Sequence, residues 1–250
     1  MQIALTFDNL GEAADLERGL WPAGEPLGRH PSVTRALPRL LHELDETGLR
    51  ATFCVEAINC EMYPGAVREI AARGHEVAMH GWRHEAWAGL DPAREEEHLA
   101  RGRAAFDALE IAVVGFRPPG GELNPASPAA LERHGFTWCS ALGTRRERNG
   151  AIARVPFAWA LVDAYHRLDS FAARRAEHGD PEQSLAPGAA ADAILARLAA
   201  GAPATLILHP FLMTDDDGWA AARRVLRALA DLAEDGIAPV VPAGEIAATL

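Results

Sequence analysis

The stretch "IALTFDNLG" carries apolar residues at Ile3, Leu5 and Phe7, ends abruptly in Asp8 and Asn9, and turns at Gly11. Seven further short apolar runs follow: "ATFCV", "EVAMH", "VVGFRP", "TWCSA", "IARVPF", "ATLILHP" and "APVV". Each has the length and bounds of a strand. Between them the pattern predicts helices over residues 38–47, 65–73, 91–109, 189–200 and 219–235. Gly48, Gly74, Gly201 and Gly236 each follow a helical run, where a left-handed residue closes the last turn. In "DPAREEE", Asp91 is placed as an N-cap with Pro92 at the first helical position. Strand–helix alternation of this kind implies an α/β fold on a parallel sheet, open or closed into a barrel. Residues 164–188 lack such punctuation and read as a long loop or excursion.

Composition adds exclusions. At 250 residues the chain is expected to form one domain, residues 1–250, with 49% apolar residues to fill its core. A net charge of −11 argues against nucleic acid or an anionic membrane as a partner, since both reward clustered Lys and Arg. No apolar run reaches the roughly 18 residues of a membrane span. Cys54, Cys60 and Cys139 make a poor disulfide framework. "MQIALTF" shows neither a basic leader region nor a cleavage site, so the expected compartment is cytoplasmic. The segment "RRVLRALADLAEDG" is amphipathic and leaves a homo-oligomer open, although packing on the sheet accounts for it equally.

Parallel α/β sheets collect their chemistry at the carboxyl ends of the strands. The first strand ends in Asp8 and Asn9, the third in His80, the fourth in Arg117 and a later one in His209. Each has a plain alternative: Asp-Asn-x-Gly is turn chemistry, and a histidine after "LIL" is commonly a core residue. His80 and His84 stand four apart, a spacing that puts two imidazoles on one face of a helical turn. Jointly, on one rim, these residues describe a site.

The ordered motifs "TFDN", "HGWRH", "RPPGG" and "LILH" resemble those of the polysaccharide deacetylase (NodB-homology) family. The resemblance implies a distorted (β/α) barrel of about seven parallel strands. It implies that Asp8 is the base activating the attacking water, with Arg117 holding its carboxylate and His209 protonating the leaving amine. His80 and His84 match two imidazole ligands of a divalent metal, zinc first, with Co2+, Ni2+ or Fe2+ as alternatives. The third ligand of the family pattern is a carboxylate, and Asn9 stands in its place. Pro118 and Pro119 have no N–H, so Gly120 offers the first amide after Arg117 for an oxyanion hole. Trp82 within "HGWRHE" and the segment "FAWALVDAYHRLDSF" resemble an intracellular branch that includes peptidoglycan deacetylase-like proteins, cyclic imidases and allantoinases. On that likeness Trp82, Pro119, Asp163, Tyr165 and His166 are expected to line the substrate pocket. The expected activity is metal-dependent hydrolysis of a C–N amide bond, by N-deacetylation of a glycan or small-molecule N-acyl substrate. Ring opening of a cyclic imide is the alternative, and a non-catalytic binding role is the reading that Asn9 supports.

Overall fold

The computed structural model describes residues 2–201 and 204–250. Among the described residues, one sheet of nine strands organises the fold: β1 (Ile3–Asp8), β2 (Thr52–Val55), β3 (Glu76–Met79), β4 (Gly115–Phe116), β5 (Trp138–Cys139), β6 (Glu147–Asn149), β7 (Ile152–Arg154), β8 (Ala204–Leu208) and β9 (Val240–Val241). Their order is β6-β7-β5-β4-β3-β2-β1-β8, with β9 beside the start of β1. Seven strands, from β7 through β1 to β8, run parallel, and β6 pairs antiparallel with β7. A parallel bridge between Val162 and Ile207 draws the two ends of the curled sheet together. The result is the expected distorted (β/α) barrel.

All eight strand candidates are strands, and the five helices form over Leu37–Thr47, Pro64–Ala72, Pro92–Asp107, Pro187–Ala199 and Asp216–Glu234. Asp91 caps its helix by accepting from the amides of Ala93 and Arg94. The four helix-closing glycines all have left-handed φ. All three cysteines are buried and free. Among the described residues, no helix is long and apolar enough to cross a membrane.

Successive strand residues face opposite sides, and here the two sides differ in chemistry. Ile3, Leu5 and Phe7 join Phe53, Val55, Val77, Met79, Leu206 and Leu208 in the main core under the helices. The intervening positions, Ala4, Cys54, Ala78 and Trp138, form a smaller interior cluster. Trp138 fills this interior so fully that a Cβ on Gly115 would lie 2.0 Å from its ring. Glu76 ties the interior to the C-terminal helix Ala243–Ala247: it accepts from Thr52 Oγ1 at 2.6 Å, Trp138 Nε1 at 3.1 Å and the Gly244 amide at 2.9 Å. That end of the barrel is therefore plugged, and the carboxyl ends of the strands face an open cavity.

The expected loop over residues 164–188 instead contains helices Asp163–Arg167 and Ala172–Glu177. Its organiser is Arg175, only 2% exposed. The guanidinium donates to the carbonyls of Tyr165 (2.5 Å), Leu168 (2.9 Å), Pro181 (3.1 Å) and Glu182 (2.5 Å). One buried cation thus satisfies backbone groups that neither a sheet nor a long helix would reach. Arg175→Met leaves these four carbonyls without their donor and is expected to cost about 3 kcal/mol. A lowered melting temperature and faster proteolytic cleavage within residues 163–182 would report it; an unchanged melting temperature would not fit.

Candidate active site

The interior register that carries Ala4, Cys54 and Ala78 continues past the strand ends, and there it becomes polar. Asp8 is the last residue of β1, Glu56, His80, Arg117, Ser140 and His209 directly follow β2, β3, β4, β5 and β8, and all six are buried. A cavity of about 560 Å³ opens over this rim. Asp8, Asn9, His80, His84, Arg117, Gly120 and His209 line it, with Phe157, Trp159, Phe171 and Phe211 as an aromatic wall.

Asp8 is 4% exposed and accepts from Arg117 Nη1 at 2.6 Å. Arg117 is held in turn by Thr6 Oγ1 (2.8 Å) and Ser140 Oγ (2.9 Å), while the Thr6 hydroxyl donates to the Leu206 carbonyl. Burial alone would raise the Asp8 carboxyl, but Arg117, His80 and His209 hold it below its ordinary value. Asp8 is a buried carboxylate kept ionised and fixed in orientation.

His80 donates from Nδ1 to the Arg117 carbonyl at 2.9 Å, which leaves Nε2 as the free lone pair, 3.9 Å from Asp8 Oδ2. His84 comes beside it with ring centroids 5.0 Å apart. The expected helical turn does not form. "HGWRH" is a tight non-helical turn in which Gly81 and His84 both take left-handed φ, near 71° and 72°. The Glu85 carboxylate ties it down by accepting from the amides of Trp82 (2.9 Å) and Arg83 (2.7 Å). Burial lowers the basicity of both imidazoles, and for His84 the neighbouring His80 and Arg18 lower it further. Neutral imidazoles are the form that binds a metal.

Glu56 was not among the residues expected from the motifs. One atom each from Glu56, His80 and His84 lies within 4.8 Å of the others, a spacing that suits three ligands of one ion. Glu56 Oε1 and Asn9 Oδ1 are both buried without a hydrogen-bond partner. Two neutral imidazoles beside the unsatisfied Glu56 oxygen fit a divalent cation with a mixed nitrogen and oxygen shell. Burial first, then Asp8 and Glu85, push the Glu56 carboxyl well above the ordinary range.

At the end of β8, beside β1, Asp163 grips His209 twice: Oδ1 accepts from Nδ1 at 2.5 Å and Oδ2 from the backbone amide at 2.8 Å. Burial would lower the His209 pKa, but Asp163 and Asp8 raise it above the ordinary imidazole value. Asp163, expected as a pocket residue, is therefore the partner that orients His209.

The other expected pocket residues lie elsewhere. Trp82 belongs to the main core, with the Arg101 guanidinium 3.7 Å above its ring. Pro119 packs towards Gly81 and is not among the lining residues, although its neighbours Pro118 and Gly120 are. The Tyr165 hydroxyl donates to Asp180 at 2.8 Å, and His166 Nε2 donates to the Ala160 carbonyl at 3.0 Å. Both are turned into the packing of the 163–182 segment, and neither lines the cavity.

A family profile described as polysaccharide deacetylase matches residues 2–139, more than half of the chain. The chain belongs to the polysaccharide deacetylase family. A solved structure of a protein assigned to the polysaccharide deacetylases of Mycobacterium smegmatis is 29% identical, with a TM-score of 0.82 over 99% of this chain and 89% of that one. A peptidoglycan deacetylase-like protein of Gibberella zeae is 31% identical over 107 residues, covering 42% of this chain and 32% of its own. A peptidoglycan deacetylase of Helicobacter pylori is 27% identical over 150 residues, or 60% of this chain and 47% of its own. The chain thus spans less than half the length of these two curated relatives. Within the polysaccharide deacetylase match lie Asp8, Asn9, Glu56, His80, His84 and Arg117. Asp163 and His209 fall beyond it.

Proposed function

We propose that this chain hydrolyses the C–N bond of an N-acyl substrate, releasing the acyl group from an amino sugar or a comparable small amide. The observation that carries the reading is the two couples Asp8–Arg117 and His209–Asp163, with Asp8 and His209 at the ends of the neighbouring strands β1 and β8 and lining one cavity with His80 and His84. The ion that family chemistry implies, zinc or a related divalent metal, would be held by His80, His84 and an oxygen donor, and would supply Lewis-acid charge and a more acidic water. Asp8, ionised and aimed by Arg117, accepts a proton from the attacking water. His209, protonated at Nε2 because Asp163 occupies Nδ1–H, delivers a proton to the departing nitrogen. The Gly120 amide is the assigned oxyanion donor, on a residue with φ near 78° beside Arg117. A cavity of about 560 Å³ accommodates a ligand of sugar size, and its aromatic wall offers faces on which a sugar ring stacks.

The test incubates the purified chain with N-acetylglucosamine oligomers, peptidoglycan fragments, small N-acyl amines and cyclic imides. Acetate or another acyl acid is expected, in equal amount with a free amine. Ring opening of an imide without acyl release would reassign the reaction, and no turnover of any substrate would support a binding role.

A further inference from the structure

We infer that Glu56 is the carboxylate ligand of the metal site, standing in for the acid that Asn9 has replaced. The inference rests on the proposed hydrolase reading only in bringing a divalent ion to the same cavity.

Three observations converge on Glu56. The first is register. Val55 pairs with Met79, and the His80 amide donates to the Val55 carbonyl at 2.9 Å, so Glu56 and His80 are neighbours at the ends of adjacent strands. Both continue the inward face set by Cys54 and Ala78. The second is its unmet valence. Glu56 is 0% exposed; Asn59 Nδ2 makes a long contact of 3.3 Å to Oε2, the backbone of Glu56 and Leu10 also bears on the carboxyl, and Oε1 is left without a partner. A buried carboxylate oxygen left without a donor is costly unless something else satisfies it. The third is proximity, with donor atoms of Glu56, His80 and His84 within 4.8 Å of one another.

Charge makes the same point. Two neutral histidines and an asparagine give a ligand set of zero charge, whereas two histidines and a glutamate restore the single negative charge of a zinc site. The outer contacts are built for it as well: Asn59 donates to Glu56, and the Arg117 carbonyl accepts from His80 Nδ1 and fixes its tautomer. Asn9, with left-handed φ near 60°, lies on the cavity side of the site.

The experiment titrates Zn2+ into the metal-free full chain against a chromophoric chelator and records the visible spectrum with Co2+. Wild type is expected to bind one ion, and His80→Ala to lose it. Glu56→Gln preserves side-chain volume and the Asn59 contact, and is expected to weaken Zn2+ by at least about 100-fold and to change the Co2+ spectrum. Glu56→Asp retains the charge and is expected to bind more tightly than Glu56→Gln, which separates ligation from misfolding. Asn9→Ala is expected to bind within about threefold of wild type. Loss of Zn2+ in Asn9→Ala with unchanged affinity in Glu56→Gln would overturn the inference and leave the hydrolase reading in place. Acyl release by a wild type that binds no metal would do the same. Metal held through Glu56 without any acyl release would keep the inference and remove the hydrolase reading.

Discussion

Asp8→Asn is expected to lower kcat on an N-acyl substrate by about 1,000-fold, because it removes a proton acceptor from the one place where the attacking water meets an ionised, oriented carboxylate. The variant keeps an acceptor for Arg117 Nη1, so the guanidinium remains hydrogen-bonded while its buried charge loses its counterpart. With Arg117 1% exposed, a stability loss of about 3 kcal/mol is expected alongside the kinetic one. Acid denaturation separates the two effects. The folded-state pKa of Asp8 lies below its ordinary value, so its contribution to stability is present above that ordinary value and is lost as pH falls through the lowered one. The variant should lack this part of the acid-side loss. A folded Asp8→Asn protein with wild-type turnover would eliminate Asp8 as the base.

The barrel was readable because each strand is short, apolar and punctuated by a helix with a glycine stop. β1 illustrates why the site was readable too: a strand buried on both faces has no structural use for Asp8 at its end, so the acid announces chemistry. Glu56 directly follows "ATFCV", the place that His80 takes at the end of "EVAMH". It lay hidden because a glutamate followed by alanine is also ordinary surface composition, and only the inward register tells the two apart. The pairing of Asp163 with His209 spans 46 positions and obeys no local spacing. Trp82 sits between two cavity residues in the chain, yet in a tight turn neighbouring side chains diverge, and the indole entered the core. β6, of sequence "ERN", has no apolar residue to mark it and exists through its antiparallel pairing with β7. The helices of the 163–182 segment depend on one buried arginine, whose role no periodicity reveals.

His209→Gln is expected to reduce kcat by about 100- to 1,000-fold, since glutamine fills the space and donates a hydrogen bond but cannot surrender a proton to the leaving amine. Asp163→Asn should be nearly as damaging and adds a diagnostic shift. Asp163 is foremost among the groups that raise the His209 pKa, so wild-type activity should persist above the ordinary imidazole value and fall as pH rises through the raised one. Removing the Asp163 charge is expected to move that alkaline limb to lower pH, while the acid limb, governed by Asp8, stays near its wild-type position. Stability follows the same sign: the contribution of this pair is fully present below about 6.5 and is lost as pH climbs through the folded value. Because His209 and Asp163 act as one unit, the double variant should be little worse than the worse single one. Strictly additive losses, or an alkaline limb unmoved by Asp163→Asn, would mean that Asp163 only holds the segment in place, and the proton would have to come from another group.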